Sequence, residues 1–173
     1  DRIGSTIIPF DVMKIKYLVE TAIPENDVLP TTYSNESVKI TENLLSLLRQ
    51  EFDTANGGFL PPIQLGFGNI ADTIADLMQT SEFNNIQFFC GGISDKVLNL
   101  LEKEKVSGIS TSGITMNETS RNLLEQIPDV HKKLILRNGD MINNAEIIGR
   151  LGVIALNTGI EIDIYGNVNS SHI

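Results

Sequence analysis

The stretch "IQFFCGGISDKVLNLL", residues 86–101, decides how the chain is read. Residues 86–90 are a short apolar run of β-prone residues, and from Asp95 the apolar spacing is that of an amphipathic helix over 95–105. Ser94 or Asp95 stands where a helix cap belongs. Between strand and helix lie Gly91 and Gly92, which bring no side chain. Such a corner serves as a reaction site, as a place where a ligand passes close to the backbone, or as a tight turn in which Gly91 takes a positive φ.

The alternation of strand and helix extends in both directions. Upstream, "KIKYLVETA" (14–22) has Ile15, Tyr17 and Val19 on one face of an expected strand, and a polar, Pro-containing loop follows over 24–37. A helix is expected from Ser37 to Phe52, with Ile40, Leu44, Leu47 and Leu48 as its apolar stripe, Ser34 or Asn35 as its cap and "NGG" (56–58) as its stop. "PIQLGFGN" (62–69) is a strand running into glycines, and 70–79 is a helix with Ile70, Ile74, Leu77 and Met78 inward. Downstream come a strand at 106–110 and a helix over 115–127 that opens on a capping-box pattern, Thr115 to Glu118. A strand at 132–137, a helix at 143–152 and closing strand material with a turn at Gly166 complete the pattern. Repeated strand–helix units predict an α/β domain, open and αβα layered, with a largely parallel sheet. One domain is expected over 1–173.

Composition narrows the function classes. The 173 residues are 41% hydrophobic and 20% charged, ordinary values for a globular chain. The net charge of −9 argues against broad nucleic-acid binding, so any anionic ligand is held by local donors. No apolar run approaches the ~20 residues of a membrane span, so no membrane partner is expected. Cys90 is the single cysteine, and an intracellular, cytoplasmic compartment is expected. His131 and His172 have no metal-ligand spacing, so no metal site is expected. The opening residues lack both an initiator Met and a signal-peptide pattern, and the chain is expected to be a piece of a longer protein.

The candidate site residues sit at strand ends, because open α/β sheets bind ligands beyond the carboxyl ends of their strands. In "QLGFGN" (64–69), Gly66, Gly68 and Asn69 let a ligand approach the backbone ahead of a helix N-terminus, or merely make a tight turn. The motif lacks the third glycine of a dinucleotide fingerprint and the Lys of a phosphate loop. In "LRNGDMINNAEIIGRLG" (136–152), Asn143 either caps a helix or turns its amide toward a carbonyl oxygen. Glu161 and Asp163 alternate with isoleucines and read as a polar face rather than a catalytic pair, and Cys90 reads as a buried small hydrophobe.

Four stretches together resemble the C-terminal domain of the acetyl-CoA hydrolase and CoA-transferase family: "DRIGSTIIPFD" at the start, "IQLGFGNIAD", "ILRNGDMINNAEIIGRLGVIALN", and "IEIDIYGNVNSSHI" at the end. The likeness runs in order over nearly the whole chain, and the last stretch is the most specific. It implies a CoA-transferase-like fold that pairs with a similar N-terminal domain of the same protein. It also implies acyl-CoA thioesters as substrates rather than a permanently bound cofactor, and a small carboxylate such as acetate as acceptor or product; a homo-oligomer is compatible with it. In the family, a strand ends in an aromatic, a small residue and a catalytic Glu, and an Asp follows in the next helix. The Glu attacks the acyl-CoA to form an anhydride and then a glutamyl thioester. Aligned without gaps, Phe89 takes the aromatic place, Cys90 the small one, Gly91 that of the Glu, and Asp95 that of the Asp.

Gly91 cannot act as a nucleophile. Three consequences follow as alternatives: transfer by direct attack of the acceptor carboxylate, as in the citrate lyase α subunits whose corner this "GGI" resembles; an acyl-CoA site that binds without reacting; or a nucleophile elsewhere in a longer protein. The resemblance thus implies a CoA-transferase or acyl-CoA hydrolase domain for short-chain acyl-CoA, with or without a covalent intermediate. Its site would be Gly91, Gly92 and Asn143, with Gly66, Gly68 and Asn69 along the CoA path. A non-catalytic acyl-CoA-binding or assembly domain is the alternative, and the isolated 173 residues are expected to be inactive.

Overall fold

The computed structural model describes residues 10–22, 32–53, 58–127 and 129–172. The opening stretch 1–9, most of the expected loop at 24–37 and part of the expected helix stop at 56–58 lie outside the described residues. Helix α1 (Asn35–Glu51) is followed by strand β1 (Ile63–Leu65), α2 (Asn69–Thr80), β2 (Ile86–Cys90), α3 (Asp95–Glu102), β3 (Val106–Thr111) and α4 (Glu118–Gln126). Then come the single turn α5 (Val130–Lys133), β4 (Leu134–Leu136), the short helices α6 (Gly139–Ile142) and α7 (Ala145–Leu151), and β5 (Ile154–Leu156). A two-stranded antiparallel ribbon, β6 (Glu161–Ile162) with β7 (Val168–Asn169), closes the described chain.

The five strands β1–β5 form one sheet in the order β4-β3-β2-β1-β5, with every neighbouring pair parallel. Parallel neighbours cannot be joined by a hairpin, so each crossover carries helix. This is the α/β architecture that the alternation predicts. The cross-strand row Ile154–Ile63–Phe88–Ile109–Leu134 lies on one face. Ile63, Phe88 and Ile109 of that row join Ile74 and Met78 of α2 and Val97, Leu98 and Leu101 of α3 in the core. The pleat turns Gln64, Phe89 and Ser110 to the opposite face. There the polar groups are paired: Arg137 Nε donates to Ser110 Oγ at 2.9 Å, and the side-chain amides of Gln64 and Asn157 exchange hydrogen bonds at 3.1 and 2.9 Å.

Several elements differ in detail from their sequence expectation. In α1, the face turned inward carries Ser37, Thr41, Leu45 and Leu48, whereas Ile40 and Leu47 are exposed. The reason lies in α2. Thr73 Oγ1 donates to Ser37 Oγ at 3.2 Å, and the Thr41 hydroxyl donates to Ser37 O at 2.9 Å, so small hydroxyl residues line a close helix–helix approach with their polar atoms satisfied. Ser34 does cap α1, accepting from Ser37 N. The expected strand at 14–22 is a 3-10 turn at Val12–Lys14 followed by chain without regular structure, and its apolar residues are exposed. Alternation alone does not make a strand, because a strand needs a neighbour for its N–H and C=O groups. The cap of α4 is Asn117 rather than Thr115, accepting from Ser120 N at 2.8 Å. The expected strand at 132–137 keeps only Leu134–Leu136, and the expected helix at 143–152 begins at Ala145.

The orientation of α1 is testable by urea denaturation. Leu48→Ala is expected to lower the unfolding free energy by about 2–5 kcal/mol, and Leu47→Ala to change it by no more than about 0.5 kcal/mol. Equal losses at the two positions would contradict the buried face described for α1.

Candidate functional site

A parallel sheet delivers all its carboxyl ends to one edge. At that edge β1 ends at Gly66–Phe67–Gly68, β2 at Gly91–Gly92, β3 at Ser112–Gly113, β4 at Arg137–Asn138 and β5 at Asn157. The chain changes direction across the sheet between β1 and β5, and Gly66 N donates there to Leu156 O at 3.0 Å. Both glycine corners of the sequence therefore lie on the edge where such folds take ligands.

The four corner glycines differ in why they are glycine. A β-carbon on Gly66 would sit 3.0 Å from Asn157 Oδ1, so a side chain there would crowd the Asn157 amide. Gly68 has φ +111°, a conformation that L side chains rarely adopt, and it caps α2 without a side-chain bond. A β-carbon on Gly92 would fall 2.5 Å from Cζ of Phe67, whose ring occupies that space. Gly91 has neither reason. It has no positive φ, and a β-carbon there would meet only Asn143 Oδ1, at 3.8 Å. The reading of Gly91 as a positive-φ turn residue is thereby corrected.

Asn143 is the C-cap of α6, with its N–H bonded to Gly139 O at 2.8 Å. Capping of α7 falls to Asn144, whose Oδ1 accepts from Glu146 N at 3.0 Å and Ile147 N at 3.1 Å. The two adjacent asparagines thus have separate places, and the side chain of Asn143 stands beside Gly91. Asn69 is exposed and opens α2, and its carbonyl accepts from the Thr73 hydroxyl at 2.6 Å. Ser112 Oγ donates to Gly91 O, and Ser94 Oγ donates to Asp72 Oδ1 at 2.8 Å, tying the start of α3 to the first turn of α2. Asp95 accepts from Asn117 Nδ2 at 3.2 Å.

Cys90 is fully buried and touches backbone groups of β1: it accepts from Leu65 N at 3.4 Å and donates to Ile63 O at 3.5 Å. Burial pushes its thiol up to about 11, well away from the thiolate that nucleophilic chemistry needs. Asp163 accepts from Tyr165 N, Asn167 N and Asn167 Nδ2, which lowers its pKa and makes it the anchor of the β6–β7 turn.

A family model described as the acetyl-CoA hydrolase/transferase C-terminal domain matches residues 120–173. Over its full length the chain is 35% identical to a propanoyl-CoA:succinate CoA transferase of Escherichia coli K12, covering 36% of that protein. It is 33% identical, again over its full length, to an acetyl-CoA hydrolase of Neurospora crassa, covering 33% of it. The chain is thus similar to part of acetyl-CoA hydrolases and CoA-transferases. It spans about a third of the length of the curated relatives it matches. The fold agrees: a 4-hydroxybutyrate CoA-transferase from Porphyromonas gingivalis superposes with a TM-score of 0.68 over 90% of this chain and 38% of its own, at 21% identity.

Sequence reasoning brought forward Gly91 and Asn143, which the fold places together. It missed Asn157 and Phe67. Asn157 directly follows the short apolar run "VIAL", a signal that marks the end of a strand. For Phe67, flanked by two glycines, no local signal tells that its ring rests on another corner.

The openness at Gly91 has a measurable consequence. Gly91→Glu should leave the unfolding free energy within about 0.5 kcal/mol of the unsubstituted protein, as for an unencumbered surface change. A loss of roughly 1–3 kcal/mol, the cost of a strained backbone, would show that the corner is conformationally closed to a side chain.

Proposed function

We propose that the chain is the C-terminal part of a CoA-transferase or acyl-CoA hydrolase, and that a short-chain acyl-CoA reacts at the Gly91 corner. The observation that carries the reading is Gly91 itself. Of the glycines at the β1 and β2 corners it is the one with neither a positive φ nor a close neighbour, and it lies beside the Asn143 side chain. The names of the relatives supply the substrate class, a CoA thioester with a carboxylate or water as acceptor.

In this reading the acceptor carboxylate occupies the space a glutamate side chain would fill. One of its oxygens forms a bond to the thioester carbonyl carbon while the C–S bond breaks and CoA leaves as the thiolate. The thiolate then attacks the acceptor half of the resulting anhydride, giving the new thioester and releasing the donor as its carboxylate. With water as acceptor the products are the free acid and CoA. The Asn143 side chain, whose Oδ1 is the atom toward Gly91, would turn its amide over to donate an N–H to the oxygen that gains charge. Positioning two bound reactants can supply about 7–11 kcal/mol of the barrier, so a missing nucleophile does not preclude turnover.

The rest of the CoA site is proposed to come from an N-terminal domain of the same protein. The exposed Tyr17, Leu18 and Val19, and Ile164 and Tyr165 beyond β6, offer apolar surface for such a domain to cover. Among the described residues no helix is long and apolar enough to cross a membrane. The bare corner also supports a second reading, an acyl-CoA-binding or assembly domain without catalysis.

The deciding experiment incubates the complete protein with acetyl-CoA and a series of carboxylates and follows thioester loss and new thioesters. Direct transfer predicts ternary-complex kinetics, and no adduct on the 86–101 peptide after borohydride or hydroxylamine trapping. Ping-pong kinetics with an adduct on another acidic residue would move the reaction centre elsewhere. CoA binding without turnover for any acceptor would favour the second reading. The 173 residues alone should show no turnover.

The two asparagines should separate in the same assay. Asn143→Ala should lower turnover by about 10²–10³ with folding unchanged. Asn144→Ala should cost ~1 kcal/mol of stability and leave the folded protein's turnover intact. Normal turnover in the Asn143 variant would remove that residue from the site.

A further inference from the structure

We propose that Phe67 determines which acyl group the Gly91–Gly92 corner accepts, an inference that rests on reading that corner as the acyl site. Phe67 lies in the turn between β1 and α2 and is 59% exposed. Its own turn gives it little burial, yet its ring has a defined resting place. A β-carbon on Gly92 would meet Cζ at 2.5 Å, Cε2 at 2.9 Å and Cε1 at 3.7 Å. The far end of the ring therefore lies against the backbone of the neighbouring corner, reaching from the end of β1 to the end of β2. Gly92 is bare because the ring fills its space.

The two bare positions are consequently unlike. Gly92 is covered by an aromatic ring, and Gly91 is open beside an amide. A group seated at this corner meets one apolar neighbour and one polar neighbour. A thioester has the same division, an alkyl chain on one side of a carbonyl, and ligand sites combine apolar walls with a few placed polar groups in this way. The chain end of the acyl group would lie at the ring, and each further methylene would have to displace it. Discrimination by one methylene in an apolar site is typically about 10–200-fold, so a single ring can set the preferred chain length.

The test uses the complete protein with acetyl-, butanoyl- and hexanoyl-CoA, comparing kcat/KM for each. Phe67→Ala should raise the hexanoyl-to-acetyl ratio by about tenfold or more, with the melting transition retained because the ring is largely exposed. Gly92→Ala, whose methyl would push the ring aside, should shift the ratio in the same direction. The double variant should add nothing further, since the clash disappears with the ring. An equal change for all three substrates in Phe67→Ala, or additive effects in the double variant, would overturn the proposal. If the unsubstituted protein turns over none of them, the catalytic reading fails, and chain-length preference is read instead from calorimetric binding of the same acyl-CoAs. A preference unaltered by Phe67→Ala then overturns the role of Phe67 separately, and no binding of any acyl-CoA overturns both.

Discussion

The joint between β1 and β2 holds the two halves of the sheet together. Among the described residues β1 is the strand that connects β5 to the β2–β3–β4 side. Its pairing with β2 is registered at Ile63 and Phe88, and beyond that point the buried thiol of Cys90 takes up two backbone groups of β1, Leu65 N and Ile63 O. A small side chain with a weak donor and a weak acceptor suits this place, because an unpaired backbone group in the core is costly. Burial keeps the thiol protonated, so the same physical condition that lets Cys90 bridge the strands removes it from nucleophilic chemistry.

From that joint the two glycine corners emerge side by side. The helices that follow them, α2 and α3, are bound to each other at their first turns by the Ser94–Asp72 hydrogen bond, and α3 to α4 by Asp95 and Asn117. The corners are thus held by their supporting helices. Within this frame Gly66 packs on Asn157, Gly68 supplies a left-handed φ, and Gly92 receives a ring. Those three glycines serve the architecture, and Gly91 is left facing open space. That open glycine lies at the carboxyl edge of the sheet, where α/β folds take ligands.

The second face of the sheet is built differently from the first. Its polar residues are paired through Arg137 with Ser110 and Gln64 with Asn157, so β1 and β3 alternate apolar with polar or small residues, whereas β2, β4 and β5 stay largely apolar. Apolar residues of 10–22 and of the segment around β6 and β7 stay exposed. Residues 120–173, which the family model matches, therefore carry little of this core.

The sequence by itself determined the alternation of elements, the α/β class and the family likeness, and it singled out the 86–101 corner. Strand β2 and helix α3 were legible because one apolar period was followed by another, with glycines marking the change. By resemblance it also placed Asn143 near the Gly91 corner. It could not determine the rotation of α1, where Leu45 rather than Leu47 joins the expected Leu48 on the inward face, because that choice belongs to Ser37 and Thr73 meeting across two helices. Nor could it assign the helix cap to Asn144 rather than Asn143, or show that 14–22 has no strand partner among the described residues. Only the tertiary structure decided which glycines of the two corners pack against a neighbour and which one is open. That distinction depends on Asn157, Phe67 and Asn143, residues far apart in sequence that approach the corners only after the parallel sheet has formed.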